Sequence, residues 1–478
     1  MEAKNLSQNP VLATQLDLQP DPLTKVRPVL RPNWPEPIAI LGYGLEGKST
    51  LQHLLRWGYK DIRILDRTAP KESPPGISVQ FGEDYLVGLK TVATAIRSPG
   101  VRPFQPEIME FQARGGILSS QAETVFSLRG TERIVGVTGT LGKGTCCSLL
   151  SAMLTQAGLA HQLAGNIGVP PLDTLESLRS EEWLVLELSS FQLSTLGQSP
   201  GMAIVLKTTS EHLDWHASQQ EYWDHKGHLT RYQQPSQVCV YFEDSPGSAF
   251  IGGLGKGRKI PFGERAEIRI SESSIHWPQA SLHLDLQDTQ LFGAFNLQNL
   301  AAAATAALEM GASAENIREA ARHFSPLEHR LEFVGTFNGV SFFNDSYATR
   351  PDATLGVIRA LRGQTTGLIL GGSEKYADFH ELALGLQQET HVHALALIGQ
   401  TAQRLESELS ACGVLQNRPY RLCLSLEEAL EFLRSQIKTG AILLSPACAS
   451  FGLFANYKDR GYAFKRLVLE NTNLGTKR

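Results

Sequence analysis

Two glycine-rich loops, each entered from a short apolar run and left through a helix with apolar periodicity, constrain this chain more than any other feature. The first follows Ile38-Ala39-Ile40-Leu41, runs from Gly42 to Gly47, and leads to Leu51, Leu54 and Leu55. The second follows Ile134-Val135-Gly136-Val137, runs from Thr138 to Thr145, and leads to Leu149, Leu150 and Met153. Buried strand, tight loop and helix in that order open a βαβ unit, so the fold class is α/β with parallel sheets. Trp183 to Leu186 and Ala203 to Leu206 continue the second series as buried strands, and an alanine-rich helix is expected from Asn299 to Met310. Beyond Pro326 a third series starts near Phe333 and includes Gly367 to Leu370 and Ile442 to Leu444. Three units suit the chain's 478 residues at roughly 150 per domain. The expected boundaries are 37–128, 129–326 and 327–478, preceded by an arm, residues 1–36, in a stretch of 37 residues holding seven of the 24 prolines.

The net charge of −4 supplies no basic field for nucleic acid or anionic lipid, so any anion must be held by placed groups. No apolar run approaches the roughly 18 residues of a membrane helix, and the first ten residues lack a signal-peptide pattern; a cytoplasmic, monomeric protein is expected. The six cysteines show no C-x-x-C spacing and are expected to be free thiols.

Gly42-Tyr43-Gly44-Leu45-Glu46-Gly47-Lys48-Ser49 fits two patterns at once. As G-x-x-x-x-G-K-[ST] it would hold a triphosphate; as G-x-G-x-x-G it would bring a helix end against a diphosphate, with a carboxylate about 20 residues on for ribose. Asp66 ends the next apolar run, 19 residues after Gly47, which favours the diphosphate, with ATP binding and a plain tight turn as alternatives. The second loop, Thr138-Gly139-Thr140-Leu141-Gly142-Lys143-Gly144-Thr145, misses the strict pattern because Val137 stands where glycine should. It nevertheless offers three glycines, hydroxyls and a lysine between strand and helix, which is what triphosphate binding needs. A metal-binding carboxylate should approach from a neighbouring strand end, and Glu187 follows the apolar run Trp183-Leu184-Val185-Leu186.

The strings TGTLGKGT at 138–145, ELSSFQL at 187–193 and EHLDWH at 211–216, with Gly165-Asn166-Ile167-Gly168, resemble the Mur ligase family. Leu327-Glu328-His329-Arg330, Asn344-Asp345-Ser346-Tyr347-Ala348-Thr349 and Leu444-Ser445-Pro446-Ala447-Cys448-Ala449-Ser450 are similar to its members that add glutamate. The resemblance spans about residues 38 to 464 and implies an N-terminal Rossmann-like UDP-binding domain, a central P-loop ATPase-type domain and a C-terminal Rossmann-like domain. It implies an ATP-dependent amide ligase of peptidoglycan precursor synthesis. Such an enzyme adds D-glutamate to UDP-N-acetylmuramoyl-L-alanine through an acyl phosphate, with Mg²⁺ as cofactor.

Carried over residue by residue, the resemblance places Gly42, Gly44, Gly47, Asp66 and Ser98 at the uridine diphosphate, and Asn166 and Ser189 at the muramoyl-alanine end. ATP would be held by Gly139, Thr140, Gly142, Lys143, Gly144, Thr145, Asn296, Asn299, Arg330 and Asp345. Metal contacts would come from Thr145, Glu187, His212 and Lys226, the last as a CO₂-derived carbamate, with Lys143, Glu187, His212 and Lys226 as the catalytic set. Thr349, Lys375, Ser450 and the backbone near Tyr457 would take glutamate, and the third domain would close about a hinge near Pro326. Outside the resemblance, Lys226 reads as a surface lysine, and Asn296, Asn299 and Ser450 as helix N-caps. Three positions depart from the pattern commonest in the glutamate-adding members: Gly144 stands for serine or threonine, Tyr347 for lysine, and Gly452 for aspartate. These keep open a ligase for L-glutamate or another acidic amino acid. More distant alternatives are a dinucleotide-dependent oxidoreductase built on Gly42 to Asp66 and a catalytically silent nucleotide-binding scaffold.

Overall fold

The computed structural model describes residues 31–69, 73–209, 212, 215–374 and 377–473. Lys375 and the arm before residue 31 lie outside them. Among the described residues, no helix is long and apolar enough to cross a membrane.

The apolar runs build three sheets. In the first, five parallel strands lie in the order Ser78–Phe81, Ile62–Asp66, Ile38–Leu41, Thr94–Arg97, Ile117–Ser120. The chain starts in the middle and winds outward both ways, which opens a crevice beyond the carboxyl ends of Ile38–Leu41 and Thr94–Arg97. The second sheet has nine strands, with Ile134–Thr138 between Trp183–Glu187 and Met202–Val205. It is parallel except at the edge formed by Ser274–Trp277 and Leu282–Asp285. In the third, Glu332–Phe337 runs antiparallel beside Val340–Asn344, and Gly440–Leu444, Thr366–Gly372, Val392–Gly399 and Tyr420–Cys423 follow in parallel.

Register carries sequence into site geometry. Val137 pairs with Glu187, Gly165 with Glu187, and Thr138 with Val205. The second glycine loop, Glu187 and Asn166 therefore leave the central sheet side by side. Behind them, the helix Lys143–Gln156 buries Cys146, Cys147, Leu149, Leu150, Met153 and Leu154 in one core with Ala301, Ala302, Ala303, Ala304, Ala306 and Ala307. Alanines let the two helices approach closely in a well-packed interior. All six cysteines are free, and burial raises the thiol pKa of Cys146 and Cys147, so they serve packing.

The alanine-rich helix spans Ala294–Glu309, starting five residues before the expected Asn299. Gly293, with a φ of +84°, is its N-cap, so neither Asn296 nor Asn299 caps it. Both amides lie inside the first turns: Asn299 Nδ2 donates to Asn296 Oδ1 at 3.0 Å, and Asn296 Nδ2 to the Phe292 carbonyl at 2.8 Å.

The first and second sheets share a continuous apolar cluster, from Ile38, Ile40 and Leu54 to Leu184, Leu186 and Leu193. Polar contacts pin the same seam. Arg97, 1% exposed, donates to the Phe191 carbonyl at 2.8 Å and Ser194 Oγ at 3.1 Å, and Gln192 Nε2 donates to Glu46 Oε1 at 2.7 Å. Residues 31–36 dock against the first unit: the Trp34 ring lies 6.2 Å from Trp57 and 6.3 Å from Tyr59, and the Trp34 N–H donates to Tyr59 Oη at 3.2 Å.

Candidate active site

Two cavities follow from this arrangement. One, about 910 Å³, lies between the first and second sheets; the other, about 570 Å³, lies between the second and third.

The first is lined by Gly42, Gly44, Asp66, Ser98, Pro99, Gly100, Asn166 and Trp215, among others. Its floor is the first glycine loop. Ser98 Oγ donates to the Gly42 carbonyl at 2.7 Å, and a Cβ on Gly47 would stand 2.1 Å from that same carbonyl oxygen. Asp66 is already engaged by backbone donors, the N–H of Tyr43 at 2.5 Å and of Thr68 at 2.8 Å, so it fixes the loop as well as facing the cavity. Lys48 is exposed and absent from both linings. Since backbone cannot yield cheaply, Gly47→Ala is expected to destabilise the protein by about 3 kcal/mol. Thermal unfolding checks this; an unchanged midpoint would mean that the loop relaxes freely.

The second cavity is lined by Thr140, Gly142 and Thr145 from the second loop, Asn296 and Asn299 from the alanine-rich helix, and Arg330, Asp345 and Tyr347 from the third sheet. Gly142 is the N-cap of the helix Lys143–Gln156, with a φ of +87°, and its absent Cβ leaves room for Asn299, whose Oδ1 lies 2.1 Å from the Cβ position. This left-handed conformation favours glycine, which adopts it without a steric penalty. Thr140 Oγ1 meets Tyr222 Oη at 3.1 Å and accepts from the Thr209 N–H at 3.0 Å. Lys143 Nζ folds back onto its own loop, donating to the carbonyls of Gly139 and Thr140 at 3.0 Å each.

Glu187 is 2% exposed. Its Oε1 accepts from Asn166 Nδ2 at 2.9 Å, while Oε2 is buried with no hydrogen-bond partner among the described residues. That oxygen and Arg330 Nη2 each lie 3.1 Å from where a Cβ on Gly144 would stand, so a serine or threonine there would crowd this corner. A buried carboxylate with an unsatisfied oxygen is costly unless a cation meets it. The carboxylate of Glu187 and the hydroxyl of Thr145, three residues into the helix that begins beside it, are oxygen donors of the type that would suit Mg²⁺.

Lys226, 1% exposed, is no surface lysine. Its Nζ donates to Thr138 Oγ1 at 3.2 Å and to the Gly139 carbonyl at 2.9 Å, the same oxygen that Lys143 engages. His212 has a left-handed φ of +55°, and its ring lies 4.7 Å from Phe191. The turn it begins is tied to the helix Gln219–Arg231 by residues that sequence patterning did not single out. His216 Nε2 meets Ser190 Oγ at 3.0 Å, its Nδ1 meets His225 Nδ1 at 3.1 Å, and Phe191, Trp215 and His216 rings pack on one another. Burial lowers the His225 pKa to about 4, which keeps that ring neutral near pH 7. Ser189 caps its helix reciprocally with Gln192.

Across the cleft, Asp345 is 5% exposed; Oδ2 accepts from Ser445 Oγ at 2.7 Å and Oδ1 from the Leu331 N–H at 3.0 Å. Burial pushes its pKa from the ordinary 3.8 up to about 7, against those hydrogen bonds and the nearby Arg330 and Arg460. Folded Asp345 holds its proton more tightly than unfolded, so its contribution to stability is complete below about pH 4 and lost as pH rises through 7. The nucleotide-free protein is expected to lose of order 3 kcal/mol from this group between pH 4 and 8. Asp345→Asn should flatten that part of the unfolding curve; parallel curves for the two proteins would contradict it.

Thr349 is exposed, Ser450 is buried, and Tyr457 begins the helix Tyr457–Asn473, so Ser450 caps no helix. Ser346 Oγ donates to the Tyr457 carbonyl at 2.7 Å, and the fully buried Arg460 donates to the carbonyls of Ser346, Cys448 and Ala449, binding these segments into one wall. Gly452 adopts a φ of +96°, which glycine takes without strain and aspartate does not.

Comparison with known proteins places this chain among others of its kind. The Mur ligase middle domain matches residues 137–307, and the Mur ligase, glutamate ligase domain matches residues 329–448. UDP-N-acetylmuramoylalanine--D-glutamate ligase of Acetivibrio thermocellus is 33% identical over 451 residues, covering 90% of this chain and 96% of that protein. The protein of the same name from Symbiobacterium thermophilum is 32% identical, covering 91% and 98%. Among solved structures, MurF ligase from Thermotoga maritima in complex with ADP superposes with a TM-score of 0.56 at 16% identity, covering 91% of this chain and 95% of that one. UDP-N-acetylmuramate-alanine ligase MurC from the same organism gives 0.55 at 16%, covering 91% and 99%. At such identity the two structures speak to fold alone. The sequence relatives speak to descent: the chain belongs to the Mur ligase family.

Proposed function

We propose that this chain is an ATP-dependent amide ligase that joins D-glutamate to the alanine carboxylate of UDP-N-acetylmuramoyl-L-alanine, releasing ADP and phosphate. The observation that carries this reading is Asn166. It lines the cavity between the first and second sheets, and its amide also donates to Glu187, whose other oxygen faces the second glycine loop. A carrier-linked carboxylate lying along the first cavity would thus end where a triphosphate in the second would present its γ-phosphate. The choice of D-glutamate rests on the sequence relatives that carry that name.

On this reading residues 37–128 form a Rossmann-like UDP-binding domain, 129–326 a P-loop ATPase-type domain, and 327–478 a Rossmann-like domain that brings glutamate. An alanine carboxylate oxygen attacks the γ-phosphorus, the bond to the β,γ-bridging oxygen breaks, and ADP departs, leaving an acyl phosphate. The uncharged amine of glutamate then attacks the acyl carbon, loses a proton, and phosphate leaves with the former carboxylate oxygen. The difficulty is electrostatic, since two anions must touch. Lys143 exchanges its two loop carbonyls for phosphate oxygens, and Arg330 faces the same corner. Mg²⁺ held by Glu187 and Thr145 would supply further charge compensation. Lys226 as an ammonium does not fit beside a second cation at His212. Addition of CO₂ to the neutral amine of Lys226, forming an N–C bond and releasing one N–H proton to solvent, would turn it into an anion that fits. Thr349, Ser450 and the N–H groups at Tyr457 take the glutamate carboxylates after the third domain swings about Pro326, and Lys375 is assigned there by the family pattern.

Phosphate release by the purified full chain should require ATP, UDP-N-acetylmuramoyl-L-alanine and D-glutamate together. Release with L-glutamate and none with D-glutamate would overturn the choice of amino acid.

A further inference from the structure

Tyr347 occupies a position where the glutamate-adding members commonly have lysine, and the reaction outlined above gives it no task. Its setting is specific. The Tyr347 N–H donates to the His329 carbonyl at 2.9 Å, which folds the segment after Val340–Asn344 back beneath Arg330. The Arg330 guanidinium carbon then lies 3.7 Å from the centroid of the Tyr347 ring. Tyr457 meets that ring edge-on, with centroids 5.1 Å apart and planes at 89°. Tyr347 is 40% exposed and lines the cavity between the second and third sheets.

What Arg330 lacks is as informative as what it touches. Among the described residues it forms no ion pair with a carboxylate, although its Nη2 stands 3.1 Å from the Cβ position of Gly144 at the start of the loop helix. A carboxylate partner would fix the guanidinium but neutralise it, and an incoming phosphate would have to displace that partner. An aromatic face fixes the same group by attraction to the ring quadrupole and leaves its charge and N–H donors available.

We infer that Tyr347 is a positioning residue that holds Arg330 over the second glycine loop, pre-aimed at the β- and γ-phosphates of ATP. The ring adds no charge of its own at 347; it fixes the direction of the charge that Arg330 already carries. The inference rests on the ATP site proposed above, but its test is a binding measurement that does not depend on which amino acid is ligated.

The probes are AMP-PCP with Mg²⁺ and adenosine, titrated into the full chain by calorimetry. Tyr347→Leu is expected to weaken AMP-PCP about tenfold and leave adenosine unchanged. Tyr347→Phe, which keeps the ring and loses only the hydroxyl, should bind AMP-PCP as the parent does. Arg330→Ala should weaken AMP-PCP at least as much, and adding Tyr347→Leu to it should cost nothing more, because a residue acting through another has no effect once that other is gone. In turnover, Tyr347→Leu should raise the KM for ATP and not that for the UDP-linked substrate. Independent, additive losses in the double variant would overturn the inference. So would an equal loss for adenosine, which would make the tyrosine a base-stacking residue, or failure of phenylalanine to substitute. Absence of ligase turnover alongside intact AMP-PCP coupling would count against the proposed reaction and not against this role.

Discussion

Lys143→Ala is expected to reduce ligase turnover by about a thousandfold, the scale seen when one preorganised charge is removed from a phosphoryl-transfer or oxyanion site. The folded protein should survive, because Lys143 is half-buried and, among the described residues, its side chain hydrogen-bonds to the carbonyls of Gly139 and Thr140 on its own loop. A change in the unfolding midpoint of no more than a few degrees is expected. Arginine should rescue poorly, since the loop spacing suits a point charge on a flexible stem more than a planar fork. Steady-state kinetics on folded variant decides it: near-parental turnover would move triphosphate binding away from this loop.

Glu187→Gln should separate activity from stability in opposite directions. The amide oxygen of glutamine can still accept from Asn166 Nδ2, the 2.9 Å bond that orients the side chain. What disappears is the charge of a carboxylate whose Oε2 is buried without a partner. Relief of that charge should stabilise the nucleotide-free protein by about 1–2 kcal/mol. The same change removes an anionic oxygen facing the second glycine loop, so turnover should fall at least a hundredfold and the Mg²⁺ concentration needed for half-maximal rate should rise. Stability kept back for function in this way is the ordinary mark of a site under chemical demand. A variant that loses stability and retains turnover would make Glu187 a structural acid.

Much of this site could be read from residues alone because its parts sit where strands end. Val137 and Glu187 each lie at the end of an apolar run, and parallel register brings such ends to one edge; Gly165 and Asn166, after the more polar run His161–Gly165, enter through the resemblance alone. The second loop was identifiable despite its broken pattern because phosphate binding depends on glycines, hydroxyls and a lysine between strand and helix, and not on the first letter of a motif. Lys226 was placed by resemblance; its burial came from the fold. Less legible were contacts made by residues with no signature of their own. His225 carries no motif, and it meets His216 because residues 215–216 lie against the helix Gln219–Arg231. Arg97 and Arg460 look like surface cations in a sequence, yet each is buried because it answers a set of backbone carbonyls. Asn299 was expected near a helix start, and the earlier cap at Gly293 instead turns it against Gly142. The pairing of Tyr347 with Arg330 joins residues 17 positions apart through a single turn, which no local pattern encodes.

Transfer of oxygen during turnover tests the proposed chemistry most directly. UDP-N-acetylmuramoyl-L-alanine labelled with ¹⁸O in both carboxylate oxygens is incubated with ATP, Mg²⁺, D-glutamate and the full chain, and the released phosphate is examined by mass spectrometry. If the carboxylate is phosphorylated before the amine attacks, each phosphate carries one ¹⁸O and the new amide carbonyl keeps the other. Unlabelled phosphate, with amide still formed, would show that the γ-phosphoryl group never reached the alanine carboxylate.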